Sequence, residues 1–207
     1  MHRRSFLLGL STITIAGVAR ADEIDGVLAD IAKARSSVQT LVAPFTQERV
    51  IGLLATAVKS EGEMILVRPD RLRWELKPPD AMTYWITPEG IAYASPSGGS
   101  GVGKGAAGKF GAVLGDLMTL IGGDMTKLRA RYDLSMERKA GVVLTARPTT
   151  DEVKKHVKSL VLAVAPDLWT VQRIEIEEGA GDRSVITFGK VARDVKVDPA
   201  KMVPPKK

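Results

Sequence analysis

The stretch Leu72–Lys77 constrains this chain more than any other, because Leu72, Trp74 and Leu76 alternate with Arg71, Arg73 and Glu75. A period of two sends successive side chains to opposite faces of an extended backbone, so the stretch predicts a strand with one buried and one wet face. Phe45–Leu54, Val58–Val67, Thr83–Thr87 and Gly90–Ala94 read as further strands, separated by short turns such as Pro78-Pro79-Asp80 and Pro88-Glu89-Gly90. In the second half Asp133–Arg138, Val142–Ala146, Leu160–Ala165, Val171–Glu177 and Ser184–Lys190 repeat the pattern, with Gly, Asp and Pro between them. Turns spaced by about ten residues predict an antiparallel meander and not parallel βαβ units. Two helices interrupt it. Ile24, Val27, Leu28, Ile31 and Val38 recur at helical spacing within Asp22–Leu41, and Val113, Leu117, Leu120 and Ile121 do so within Phe110–Ile121. The expected fold is mainly β: one curved antiparallel sheet in a single domain spanning 22–207, with an N-terminal helix, a helical insertion and an extended tail from Val195 to Lys207.

The opening 21 residues stand outside that domain. Arg3 and Arg4 lead into an apolar run from Phe6 to Val18, closed by Ala19-Arg20-Ala21 before Asp22. A basic start, a short apolar run and a small-x-small close predict an export signal cleaved after Ala21, the run being too short for a membrane anchor. Arg3-Arg4-Ser5-Phe6-Leu7 also has the twin-arginine arrangement. Losing Arg3, Arg4 and Arg20 brings the formal charge from +6 to +3, so much of the basic excess is a targeting label and nucleic acid is not an expected partner. The absence of cysteine excludes a disulfide scaffold, a thiolate metal site, a cysteine nucleophile and a lipid-anchored N-terminal cysteine. No metal site or cofactor is expected.

Chemical motifs are sparse. Gly98–Gly105 satisfies the spacing G-x-x-x-x-G-K, but Gly105 stands where a Ser or Thr should hold Mg²⁺, and the flanking chain is antiparallel. A surface loop over Ser95–Gly108 is the expectation. His156 lies in the polar stretch Thr149–Lys158 and is expected in solvent; no G-x-S-x-G elbow accompanies it. Glu175, Glu177 and Glu178 alternate with Val171, Ile174 and Ile176 and read as an outer face. No enzyme is expected.

The strand Glu63–Arg68 is unusual. Met64, Leu66 and Arg68 share one face, Glu63, Ile65 and Val67 the other, and neither face is properly polar. Met64 and Leu66 with Leu72, Trp74 and Leu76 either line an apolar hollow with Arg68 at its rim, or fill an ordinary core from which Arg68 reaches water.

The run Phe45-Thr46-Gln47, then Glu61–Pro69, Leu72-Arg73-Trp74, Pro79-Asp80 and Thr87–Tyr93, with Ser184–Phe188, Val197-Asp198-Pro199 and Pro204-Pro205 at the end, resembles the LolA family of periplasmic outer-membrane lipoprotein carriers. Met202 and Val203 stand where the family's closing segment usually has phenylalanine. The resemblance implies an unclosed antiparallel β-barrel whose apolar cavity is covered by a helical lid. Met64, Leu66, Leu72, Trp74, Leu76, Ile86, Leu117 and Leu120 would line that cavity, and Arg68 would gate the lid through hydrogen bonds to backbone carbonyls. It implies a soluble monomer in the periplasm that takes acylated lipoproteins from an inner-membrane ABC-type transporter and passes them to an outer-membrane acceptor. A LolA-like carrier or sensor of another acylated ligand, such as a glycolipid, is the alternative.

Overall fold

The computed structural model describes residues 16–52, 56–102, 114–119, 121 and 128–205. Strands β1 (Thr40–Ile51), β2 (Thr56–Val67), β3 (Arg71–Leu76), β4 (Met82–Thr87), β5 (Gly90–Ala94) and β6 (Ser100–Val102) form the first half of the chain's sheet. The second half comprises β7 (Tyr132–Lys139), β8 (Gly141–Pro148), β9 (Val157–Val164), β10 (Val171–Glu178), β11 (Arg183–Phe188) and β12 (Ala192–Arg193). All belong to one antiparallel sheet in the order β6-β5-β4-β3-β2-β1-β11-β10-β9-β8-β7, with β12 also on β1. Each half is a meander, and the halves join through β1 and β11, where Phe45 faces Phe188. Among the described residues β6 and β7 do not pair, so the sheet is unclosed.

One face of this sheet is apolar from end to end. The register aligns Leu41, Leu66, Leu72, Ile86 and Ile91 in one row, and Ala43, Met64, Trp74, Tyr84 and Tyr93 in the next. Leu134, Leu144, Leu162 and Ile174 continue the same buried cluster in the other half. Helix α1 (Ala16–Ser36) adds Val27, Leu28 and Ile31, and a helical segment at 114–119 adds Leu114 and Leu117. This face is the core.

The helix differs in extent from the expected Asp22–Leu41. It runs through the expected cleavage point at Ala21 and stops at Ser36. Ser36 Oγ donates to Lys33 O, taking up a carbonyl of the last turn, and Val38 N bonds back to Arg35 O. Thr40–Val42 are then claimed by β2 and β12. Residues 1–15 of the expected signal lie outside the described residues. No described helix is long and apolar enough to cross a membrane.

The opposite face is wet except at one place. Ile65, Arg73, Trp85 and Ala92 form a cross-strand row on it, and Ile65, Trp85 and Ala92 are buried. The tail covers this face. Beyond β12, Asp194 accepts from Gln39 N and Thr40 Oγ1 donates to Val195 O, pinning the chain where it leaves β1. A 3-10 turn, Pro199–Met202, is capped by Asp198 and lies against β3. Met202 is buried and Trp85 Nε1 donates to Lys201 O at 2.9 Å. The tail, expected to be extended, includes the 3-10 turn and packs as a strap, which explains why β2 is apolar on both faces.

Candidate functional site

The residues that the resemblance assigns to a cavity come together on the buried face. Leu66, Leu72, Trp74 and Leu117 have no exposed surface, Met64 and Ile86 are buried, and Leu76 packs against them half-buried. Leu120 lies outside the described residues. Register, and not proximity in sequence, brings them together: Met64 pairs with Trp74, Leu66 with Leu72, and Leu72 with Ile86.

Phe45 and Phe188 complete this interior. The Phe45 ring stacks on Trp74 with centroids 4.1 Å apart, and Phe188 meets Phe45 and Trp74 edge-on at 6.2 and 6.1 Å. Gly62 makes room for this stack. It pairs with Phe45 across the strands, and a Cβ there would stand 2.2 Å from Phe45 Cζ and 2.2 Å from Glu75 O. The apolar face buries its own aromatic side chains, Phe45, Trp74 and Phe188.

The helical residues 114–119 and 121 are held to the rest of the fold by polar contacts that sequence reasoning did not find. Arg35, at the end of α1 and 1% exposed, donates from Nη1 to Ile121 O at 3.2 Å. Burial first, and the adjacent Arg68 charge second, bring the Arg35 pKa down to about 10, against the attraction of Asp167. Asp116, 3% exposed, accepts from Arg131 Nη1 and from Tyr132 OH, each at 2.5 Å. Its burial pushes the carboxyl pKa up, opposed by those two partners. Nearer the surface, Arg129 pairs with Asp25 at 2.7 Å. The signal that could have revealed Asp116 is an acid placed between Leu114 and Leu117, inside an apolar helical stripe.

Arg35 thus donates to a backbone carbonyl of residue 121, the kind of contact that the resemblance expects of Arg68. Arg68 lies beside it, in the turn after β2, and its backbone N–H donates to Gln39 O at 2.9 Å. Its Nε and Nη2 are buried with no hydrogen-bond partner among the described residues.

The other candidates fall elsewhere. His156 is half-buried after the helical turn Asp151–Lys154, not in open solvent, because its N–H closes back onto Val153 O. Within the glycine-rich stretch, Ser100–Val102 form β6 on β5 and Ser95 N bonds to Gly99 O. Residues 103–110 lie outside the described residues. No group of acidic and histidine side chains that could hold a metal occurs among the described residues. A groove of about 610 Å³ crosses the wet face between β2, β1, β11 and β10. Its charges are of both signs, with Glu48 and Glu61 facing Lys59, Arg173 and Arg183.

Residues 36–88 match the family described as outer membrane lipoprotein carrier protein LolA. An outer-membrane lipoprotein carrier protein of Alkalilimnicola ehrlichii is 26% identical over 181 residues, covering 84% of this chain and 77% of that protein. The chain is LolA-like. Two solved structures share the fold. An uncharacterized conserved protein from Thermus thermophilus superposes with a TM-score of 0.53 at 11% identity, covering 89% of this chain and 95% of that one. MucB does so with a TM-score of 0.50 at 15% identity, covering 89% of this LolA-like chain and 63% of MucB. The matched segment 36–88 holds Phe45, Gly62, Arg68, Trp74 and Ile86, so it contains most of the closed aromatic interior.

Proposed function

We propose that this LolA-like chain is a periplasmic carrier that takes up the acyl chains of lipoproteins between its apolar sheet face and the helical segments covering it. The observation that carries the proposal is that the stretch matching a lipoprotein carrier family, residues 36–88, supplies most of the buried aromatic and aliphatic face on which helix α1 and the helical residues 114–119 pack. Exported behind the signal at 1–21 and working as a monomer, the carrier receives cargo from an inner-membrane ABC-type transporter. It delivers that cargo to an outer-membrane acceptor. Met64, Leu66, Leu72, Trp74, Leu76, Ile86, Leu117 and Leu120 contact the acyl chains, and the corner holding Arg35 and Arg68 gates the lid. Each methylene withdrawn from water contributes about 0.8 kcal/mol, so a multiply acylated protein does not cross an aqueous compartment unshielded. A carrier must also release, and here acyl burial is offset by the packing that the closed interior gives up when it opens. The transporter consumes the ATP, so the carrier itself requires no nucleotide.

The test is photo-cross-linking in cells from a benzoylphenylalanine placed at position 74. Trp74 has no exposed surface, so only a ligand that enters the interior can reach it. An adduct that is a protein and carries fatty acyl groups is the expected result. A protease-resistant lipid adduct transfers the reading to a non-protein acylated ligand, and the absence of any acylated adduct overturns both.

A further inference from the structure

Arg68 stands where the apolar face ends. It lies two positions beyond Leu66, in the turn that follows β2, and its backbone N–H donates to Gln39 O between α1 and β1. The two nitrogens without partners, Nε and Nη2, lie on one edge of the guanidinium, so their N–H bonds point the same way as a fork. Such a fork, buried without an acceptor, costs free energy that a pair of oxygens would recover. The charge beside it is a second guanidinium, that of Arg35, which is already engaged with Ile121 O. Burial lowers the pKa of Arg68 as well, as expected of a cation held partly out of water.

We propose that the Nε–Nη2 edge of Arg68 receives the two ester carbonyl oxygens of a diacylglyceryl group, fixing the depth at which the ligand's chains lie along the Leu66–Leu72 row. The inference rests on the reading that acyl chains enter this interior, and it names the polar contact that ends the apolar one. Ester carbonyls are the oxygens that occur where an acyl chain joins its head group. Neutral carbonyls are also cheaper to bury beside Leu66 and Leu72 than a phosphate, whose charge would have to be stripped of water. Arg35 has a distinct part: it holds the covering segment, while Arg68 contacts the ligand.

The test uses the full mature chain and two fluorescent lipopeptides that differ only in carrying ester-linked or ether-linked chains, with phosphatidylglycerol as competitor. The wild type is expected to bind the diester about tenfold more tightly than the diether, the size of one or two charge-assisted hydrogen bonds. Arg68→Met is expected to bind both alike. Arg68→Lys keeps the charge without the fork and should lose most of the preference, so it carries the same test if Arg68→Met does not fold. Equal binding of ester and ether by the wild type overturns the inference and leaves acyl binding standing. Failure of the wild type to bind either overturns both. A preference that survives in both variants, or an Arg68-dependent preference for phosphatidylglycerol over the diester, also overturns the carbonyl assignment.

Discussion

Gly62→Ala gives the sharpest test of the interior, because it adds a single methyl group in a position without space for it. The added Cβ would lie 2.2 Å from Glu75 O, 2.2 Å from Phe45 Cζ and 2.6 Å from Phe45 Cε1. Comfortable carbon contacts begin near 3.5 Å, so something must move by about 1 Å. The Phe45 ring cannot turn aside freely, since Trp74 stacks on it at 4.1 Å and Phe188 closes its edge. The Glu75 oxygen belongs to the backbone of β3, which is itself paired to β2 and β4. Overpacking of this kind costs about 1–3 kcal/mol, and the backbone clash places it at the upper end. Alanine returns about 0.4–1 kcal/mol by restricting the unfolded chain. The net loss is about 2 kcal/mol, or about 4–8 °C in Tm for a domain of this size. Thermal melts followed by circular dichroism measure it, with near-ultraviolet spectra reporting the displaced rings. Phe45→Leu removes the ring and relieves one of the two clashes, so Gly62→Ala should cost about 1 kcal/mol less in that background. A Tm for Gly62→Ala equal to or above the wild type would refute the reasoning, as would strict additivity with Phe45→Leu.

Two further perturbations address the fastenings. Burial raises the Asp116 pKa above 3.8, so its contribution to stability is complete below that value and is lost as pH rises through the folded-state pKa. In urea unfolding, the stability of the wild type relative to Asp116→Asn should therefore be greatest in acid and shrink toward neutral pH; a gap that widens with pH would sink the assignment. Met202→Ala at the strap should cost about 2 kcal/mol, the low end for a buried methionine because a tail segment can settle into the space. Trp85 fluorescence, which loses the Lys201 carbonyl contact, should shift to the red, and a change under about 0.5 kcal/mol with no shift would mean that the strap does not hold.

What was legible in the sequence followed from local periodicity. The alternation of Leu72, Trp74 and Leu76 marks β3, and its partners in β2 and β4 are readable for the same reason. Long-range pairing was not readable. β1 begins at Thr40 and not at Phe45, because Leu41 and Val42 find Arg193 and Ala192 some 150 residues away. β6 exists because Ser100–Val102 can lie along β5, a choice that glycine-rich composition conceals. The buried face of β2 was visible as Met64 and Leu66, yet Ile65 on its other face made sense only once the strap was seen to cross it. Arg35 carried no signal, since an arginine near a helix C-terminus ordinarily faces water and favours the dipole. Its bond to Ile121 O joins positions 86 residues apart, which local periodicity cannot show.

The division between Arg35 and Arg68 bears on how a carrier of this design would avoid holding its ligand too tightly. If one arginine both latched the covering segment and met the ligand, opening and loading would compete for the same donors. With Arg35 on Ile121 O and Arg68 Nε and Nη2 without an acceptor among the described residues, one fork is unsatisfied while the aromatic stack is intact. On the reading proposed above, entry of an acyl group would satisfy Arg68 but would part Phe45 and Trp74 from their present stack, setting the gain at the head group against a loss in the interior. The two terms fall on different side chains, Arg68 beyond β2 and the Phe45–Trp74 stack, so on that reading a partner protein that touched one of them would shift the balance. Directional transfer would then need no more than two partners that act on different terms.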